Sequence, residues 1–260
     1  MFSCRDKNQK SADRLHVAFS SENKVIKSGN NCDLPDSLMT ECAILDISRL
    51  KPVSVSNSLN KAITDTLDVY ICSMIGECIY PENALITFGQ HSLDSLSKIY
   101  FDQHSNFIKE FPDAAFNSWS IEISVDSVHQ NSKIITLAVN GNTYLGGAHP
   151  NSFTSYHNFD KSSGKTLTLS DIIKNKKAFL TIAEKEFRKN QEISDQQNLE
   201  EAGYFFEKGI YNLPTQFAIT TDGLLLFYNN YEAAAYAVGQ IIYTIPFEMM
   251  VGIIDLDIIK

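Results

Sequence analysis

No apolar run in these 260 residues approaches the roughly 20 needed to cross a bilayer as a helix, so the body of the chain is not membrane-spanning. Clusters of lysine and arginine are also missing. The 22 basic residues are outnumbered by 31 acidic ones scattered along the chain, giving a formal charge of -9. A phosphate-tracking surface is thereby excluded, and nucleic acid with it. The most basic stretch, "KNKKAF" at 174–179, opens a helical pattern and reads as a solvated helix face. Absent as well are a GxSxG elbow, an HExxH pair, a P-loop and a dinucleotide-binding glycine fingerprint. No internal repeat or low-complexity tract stands out. What remains, 43% hydrophobic and 20% charged residues, is the composition of a folded chain with one large core or two modest ones.

Short CxxC knuckles are lacking too, although there are five cysteines. Cys4 follows a small residue in "MFSC" and precedes the polar run "RDKNQKSADR". That is the surrounding of a lipid-modified cysteine in a bacterial lipoprotein, read here as a chain beginning close to a signal cleavage site, with Met1 as an added start. An incidental early cysteine is the alternative. Cys32, Cys42, Cys72 and Cys78 allow two disulfides in three connectivities, or buried free thiols, and their spacing is no zinc signature.

Periodicity predicts an α+β fold: antiparallel sheets packed with helices in two interlocked subdomains. Residues 1–35 read as a polar tether after Cys4, with one early strand at "RLHVAFS"; 36–140 and 141–260 read as the two subdomains. Helical spacing places Leu59, Ala62, Ile63, Leu67, Tyr70 and Ile71 on one face, with Ser56 or Asn57 as N-cap and Gly76 as stop. A second helix carries Leu93, Leu96, Tyr100 and Phe107 on one face. In "SWSIEISVDSV" the period becomes two: Trp119, Ile121, Ile123 and Val125 are buried, and Ser120, Glu122, Ser124 and Asp126 are wet. The stretch "KIITLAVNGNTYLGG" continues the sheet with "VNGN" as a turn, and "NSFTSYHNF" adds a strand. A helix with the stripe Phe179, Ile182, Ala183 and Phe187, a hairpin on Asp222-Gly223 and a last strand "QIIYTIP" complete the chain.

Two segments carry the candidate chemistry. In "NTYLGGAHPNSFTSYHNFD" strand parity sets His157 with Phe153, Ser155 and Phe159, which fits a buried, hydrogen-bonded histidine. His149, before Pro150 in a glycine-bounded turn, reaches solvent. A hydrolase or deacetylase acting on cell-wall glycan would use His149 or His157 as base or ligand, with Asp160 orienting it. A catalytic zinc wants a third protein ligand, which the spacing does not supply, so neither a metal nor another cofactor is expected. In "YNNYEAAAYAVG", the three tyrosines and Glu232 either form a recognition surface or close the core.

Together the segments resemble a bacterial envelope family, the RsiV-like extracytoplasmic domain of a lysozyme-responsive anti-sigma factor, found also beside the catalytic domain of the peptidoglycan deacetylase PdaC. The likeness runs from about Ile44 to Val251. It is carried by the Gly146-Gly147 pair, His149, the triplet Asn158-Phe159-Asp160, the Gly164-Lys165 turn and the Leu169-x-Asp171 helix start, then by "FAITTDGLLLFYNNYEAAAYAVGQIIYTIPF". It implies an exported α+β module without the deacetylase's metal motifs. Such a module would bind a protein such as lysozyme or a cell-wall component through Gly146, Gly147, His149, Asn151, Tyr231, Glu232 and Tyr236. One position departs: the family commonly has proline where this chain has Ala235.

Overall fold

The computed structural model describes residues 16–35, 40–53, 56–80, 91–112, 114 and 118–260. Cys4 lies outside them. Six strands form one sheet in the order β1 (Phe19–Gly29), β2 (Cys42–Pro52), β3 (Trp119–Gln130), β4 (Ile134–Tyr144), β5 (Asn151–Asp160) and β6 (Thr166–Leu167). Three more, β7 (Gln216–Ile219), β8 (Gly223–Tyr228) and β9 (Ile241–Pro246), form a second, antiparallel sheet. Among the described residues five α-helices complete the set: α1 (Asn57–Ile79), α2 (Leu93–Glu110), α3 (Leu169–Ile172), α4 (Lys176–Asn190) and α5 (Leu256–Ile259). The fold is α+β.

Three elements depart from the periodicity. β1 lies inside the stretch read as a tether and pairs antiparallel with β2 along its whole length, because Val25 and its neighbours complete an edge that β2 would otherwise expose. β2 and β3 are parallel, joined by the α1 and α2 crossover, so the large sheet is mixed. "VNGN" is no turn: Val139 to Asn142 sit mid-strand in β4. Its glycine is there because the Phe153 ring of β5 lies against it, and a Cβ at Gly141 would come within 2.0 Å of that ring.

The sheet's inner face carries the first core. Ala43, Leu45 and Ile47 of β2, Ile121, Ile123 and Val125 of β3, and Ile135, Leu137 and Val139 of β4 meet Leu59, Ile63, Leu67 and Ile71 of α1. α1 begins at Ser56, whose hydroxyl accepts from the Leu59 amide at 3.3 Å, and runs beyond Gly76 to Ile79. α2 is capped likewise by Ser92, and the buried Tyr100 hydroxyl donates to the Ile44 carbonyl at 3.2 Å. A second core lies between α4 and the small sheet, where Phe187 meets the rings of Tyr204, Phe206, Tyr211, Tyr228 and Tyr243.

The back of the small sheet covers half of the large sheet's outer face. Phe227 sets its edge on Tyr156 with centroids 5.5 Å apart, and Asn158 and Thr136 reach across to β7. Side chains also replace missing strand pairing along β5. Gln216 accepts from the Tyr156 amide at 2.9 Å, and Asn229 accepts from the Thr154 amide at 2.7 Å while donating to its carbonyl at 3.0 Å. Buried polar backbone is thus satisfied where the ladder stops.

One of the disulfide alternatives is realised. Cys32 and Cys42 are bonded, tying the end of β1 to the start of β2, whereas Cys72 and Cys78 are free. Those two occupy one helix six positions apart, about 9 Å of rise, too far to bridge. Burial, with Glu77 close by, pushes the Cys78 thiol up to about 12, so it is inert near neutrality. Replacing Cys32 and Cys42 together by alanine releases a loop of separation 10 and is expected to lower stability by about 2–3 kcal/mol. Urea unfolding checks this; a loss below about 0.5 kcal/mol would mean the edge pairing holds β1 unaided.

Candidate functional site

The β4–β5 connection and the loop after β8 meet at one end of the molecule. In the first, Gly146 takes φ +78°, which a residue with a side chain rarely adopts, and this turns the chain out of β4. Gly147 has open space around it and no such constraint. His149 then stands exposed before Pro150, its Nδ1 2.9 Å from the Pro150 carbonyl oxygen.

From the other side, residues 229–232 form a turn closed by the Glu232 amide on the Asn229 carbonyl at 3.1 Å. Its third position is Tyr231, at φ +66°, a bulky residue in a region that favours glycine and asparagine. Strain of this kind persists only where the surroundings enforce it. The Glu232 carboxylate does the enforcing: it accepts from the Asn229 amide at 2.9 Å and from the Thr215 amide at 3.1 Å and hydroxyl at 3.2 Å. Glu232 is therefore a staple of the loop, occupied from within, and not a group turned toward a ligand. Ala235 holds φ -62°, the value a proline would fix, so the loop keeps its course without the ring.

The two segments touch through aromatic faces. His149 stacks on Tyr236 with centroids 3.9 Å apart and planes inclined by 19°, and the Tyr236 hydroxyl donates to the Pro150 carbonyl at 2.8 Å. Tyr231 lies 5.5 Å from Tyr236 and is 54% exposed. Asn230 donates to the Ser152 carbonyl at 3.3 Å, fixing the loop to the first turn of β5 next to Asn151, itself exposed. A stacked imidazole, a strained, exposed tyrosine and two backbone-anchored loops make a rigid, amphipathic surface suited to contact.

His157 and Asp160 do not join it. β5 carries them away from residue 151 by roughly 20 and 30 Å at the rise of an extended strand. His157 is 2% exposed, against the Tyr70 ring at 4.0 Å, with Nε2 2.9 Å from the Ser155 hydroxyl. Burial holds its pKa down at about 4, so it is neutral near pH 7. Asp160 closes the turn into β6. Burial would raise its pKa, but bonds from the Ser162 hydroxyl at 2.6 Å and the Ser163 amide at 2.7 Å outweigh it and keep the carboxylate low. No group of three or more His, Cys, Asp and Glu side chains converges among the described residues.

Beyond the edge of the small sheet, the outer face of β2–β5 remains open as a groove of about 430 Å³, with Asp46, Ser48, Glu122, Ser124, Asn140 and Asn142 on its floor. Its signal was the alternation in "LDIS" and "VNGNT", which continues the wet face of β3.

The fold and the loops define an α+β module in which two sequence segments build one surface. Known proteins place it further. A family model described as deacetylase PdaC matches residues 35–152, and one described as a protein of unknown function, DUF3298, matches 167–248. Over those two segments the chain is similar to the PdaC and DUF3298 families. It is 28% identical over 162 residues to the peptidoglycan-N-acetylmuramic acid deacetylase PdaC of Bacillus subtilis strain 168, covering 59% of this chain and 34% of that one. The chain thus spans about a third of that relative's length. A crystal structure of a DUF3298 family member from Bacteroides fragilis NCTC 9343 superposes with a TM-score of 0.71 at 21% identity, covering 92% of this chain and 94% of that one. Another, from Pseudomonas aeruginosa PAO1, gives 0.62 at 17% identity over 93% and 96%. These likenesses establish the fold.

Proposed function

We propose that the chain is a non-catalytic extracytoplasmic binding module, anchored in the bacterial envelope through Cys4, that recognises a protein such as lysozyme or a cell-wall component. The observation that carries the reading is the stack of His149 on Tyr236, which joins two segments distant in sequence into one aromatic surface and leaves Tyr231 standing out of it. The Cys32–Cys42 disulfide supports an oxidising compartment. The relative's name places that protein in peptidoglycan chemistry, and the RsiV-like resemblance supports lysozyme as a partner to try first. The separation of His149 from His157 and Asp160 along β5 favours binding over a hydrolase built on those three.

Calorimetric titration with lysozyme tests the partner. Heat of binding is expected, with affinity reduced tenfold or more in Tyr231→Ala, an exposed ring whose loss leaves the core intact. Binding that Tyr231→Ala and His149→Ala both leave unchanged would take these loops out of the interface.

A further inference from the structure

We infer that the open half of the sheet's outer face is a binding site for a glycan carrying free amino groups. The inference rests on the reading of the chain as a binding module, and assigns the ligand class to the groove and not to the aromatic loops beside it.

The strand register shows what the groove is made of. Asp46 of β2 lies beside Glu122 of β3, Glu122 beside Asn142 of β4, and Asn142 beside Ser152 of β5. Two residues further along each strand, Ser48, Ser124, Asn140 and Thr154 make a parallel row. Because side chains alternate across a strand, both rows point to the same side, away from the helices. They form a grid of hydroxyls, amides and carboxylates, about 4.8 Å apart between strands and roughly 7 Å along them. Ile123 and Phe153 border the groove by position, but their parity belongs to the inner core. Repeated polar groups at these spacings suit the hydroxyl-dense face of a sugar chain.

The grid is held in place before any ligand arrives. Asn140 donates to Asp126 at 2.8 Å and accepts from the Thr154 hydroxyl at 3.0 Å, which fixes its amide at both ends, and Asn229 clips the Thr154 backbone from behind. Asn230 donates to the Ser152 carbonyl. Gln240, just past the loop that presents Tyr236, contributes to the wall. Donors and acceptors on a rigid sheet bind with little ordering cost. The groove volume of about 430 Å³ falls in the range of small-ligand sites.

Charge narrows the ligand. Asp46 and Glu122 are direct neighbours on paired strands, an arrangement of like charges that works against the sheet. Neither carboxylate has a hydrogen bond or ion pair from the protein among the described residues, and the lining contains no lysine, arginine or histidine. A cation placed between them would be favoured. A sugar amine supplies that cation together with the hydroxyls that the second row can bind. An N-acetylated sugar supplies only the hydroxyls.

Three probes separate the outcomes in calorimetry: a glucosamine pentamer with its amines protonated, the N-acetylated pentamer, and pentalysine. The glucosamine pentamer is expected to bind at least tenfold tighter than the other two, and the double variant Asp46→Asn, Glu122→Gln is expected to lose tenfold or more of that affinity. Its thermal midpoint should equal or exceed the parent's, since a repulsion is removed, so loss of binding is not loss of fold. No binding of the glucosamine pentamer, equal binding of the acetylated one, or pentalysine binding as tight would each overturn the proposal. Lysozyme titration of the parent protein keeps the two readings apart. If the parent gives lysozyme heat but no glucosamine heat, the groove assignment falls and the loop surface stands; lysozyme binding that survives in the double variant while glucosamine binding is lost is the result expected of two separate sites.

Discussion

Replacing Asn158 by alanine is expected to cost about 3–4 kcal/mol of stability, more than any exposed residue of the loops. Asn158 is fully buried between the two sheets. Its Oδ1 accepts from the Ile219 amide at 2.8 Å and faces the Thr136 hydroxyl at 2.9 Å, while its Nδ2 donates to the Phe217 carbonyl at 2.9 Å. Removing the side chain leaves a backbone donor and acceptor of β7 without partners in a dry junction, at about 1–3 kcal/mol each, in addition to a cavity. Thr136→Val should cost less, near 1 kcal/mol, because Asn158 keeps its two β7 contacts. Urea unfolding followed by circular dichroism and by the single tryptophan gives the test. Trp119 packs on Tyr100, His104 and Phe107, so its fluorescence reports the helix side of the large sheet. If the weld matters, Asn158→Ala moves both transitions to lower urea. A cost under about 1 kcal/mol would show that apolar contacts such as Phe227 on Tyr156 hold the sheets together without it.

That expectation changes the meaning of the family-like residues in the sequence. Asn158-Phe159-Asp160 reads as a signature, and each member turns out to be architectural: a weld, a core ring and the carboxylate of a turn. Leu169-x-Asp171 belongs to a capping box, in which Asp171 accepts from the Thr168 amide at 2.8 Å, and Lys165 of the Gly-Lys turn pairs with the same carboxylate. Gly146 is held by its backbone angle. Glu232, drawn from sequence as a ligand contact, spends its oxygens on its own loop. Of the residues marked out for recognition, His149, Tyr231 and Tyr236 form the aromatic surface, with the Tyr236 hydroxyl also tying the two loops together through the Pro150 carbonyl.

Local pattern made the helices legible, because the cap at Ser56 and the apolar spacing along α1 and α2 are written within a few residues. Strand parity likewise placed His157 among phenylalanines. What it could not reach was pairing between distant strands. Asp46 and Glu122 are 76 positions apart and become neighbours only because the α1 and α2 crossover makes β2 and β3 parallel. The groove therefore has no local signal, only two unremarkable alternations. The early strand expected at 14–20 meets β1 only at Phe19 and Ser20, and the rest of β1 went unread for a related reason: an edge strand with both faces largely wet has no period-two contrast to detect.

Stability is expected to fall by about 3 kcal/mol as pH drops from 6.5 to 4, through His157. In the unfolded chain its imidazole titrates near 6.5. In the folded protein burial lowers the value to about 4, and its neighbours offer no compensating charge: the Ser155 hydroxyl, the Tyr70 ring of α1 and the Phe159 ring. Between those two values the unfolded state binds a proton that the folded state does not, so unfolding gains free energy at about 1.4 kcal/mol per pH unit as acidity rises. Above the window both states are neutral and stability is flat. Below it the depressed carboxylates take over: Asp160, Asp171 and Asp255 hold stability that is lost only as pH falls past the ordinary carboxylate range. His129 is also lowered, by burial and then by Lys161, and acts in the same direction. The contribution of His157 is therefore read as a difference. His157→Gln, which keeps a polar group near Ser155 but cannot titrate, should flatten the thermal midpoint between pH 6.5 and 4 while leaving the steeper acid limb below pH 4. Parallel profiles for parent and variant across that window would mean that the buried ring accepts its proton by local opening of β5 against α1, and that its burial contributes nothing to the acid sensitivity of the fold.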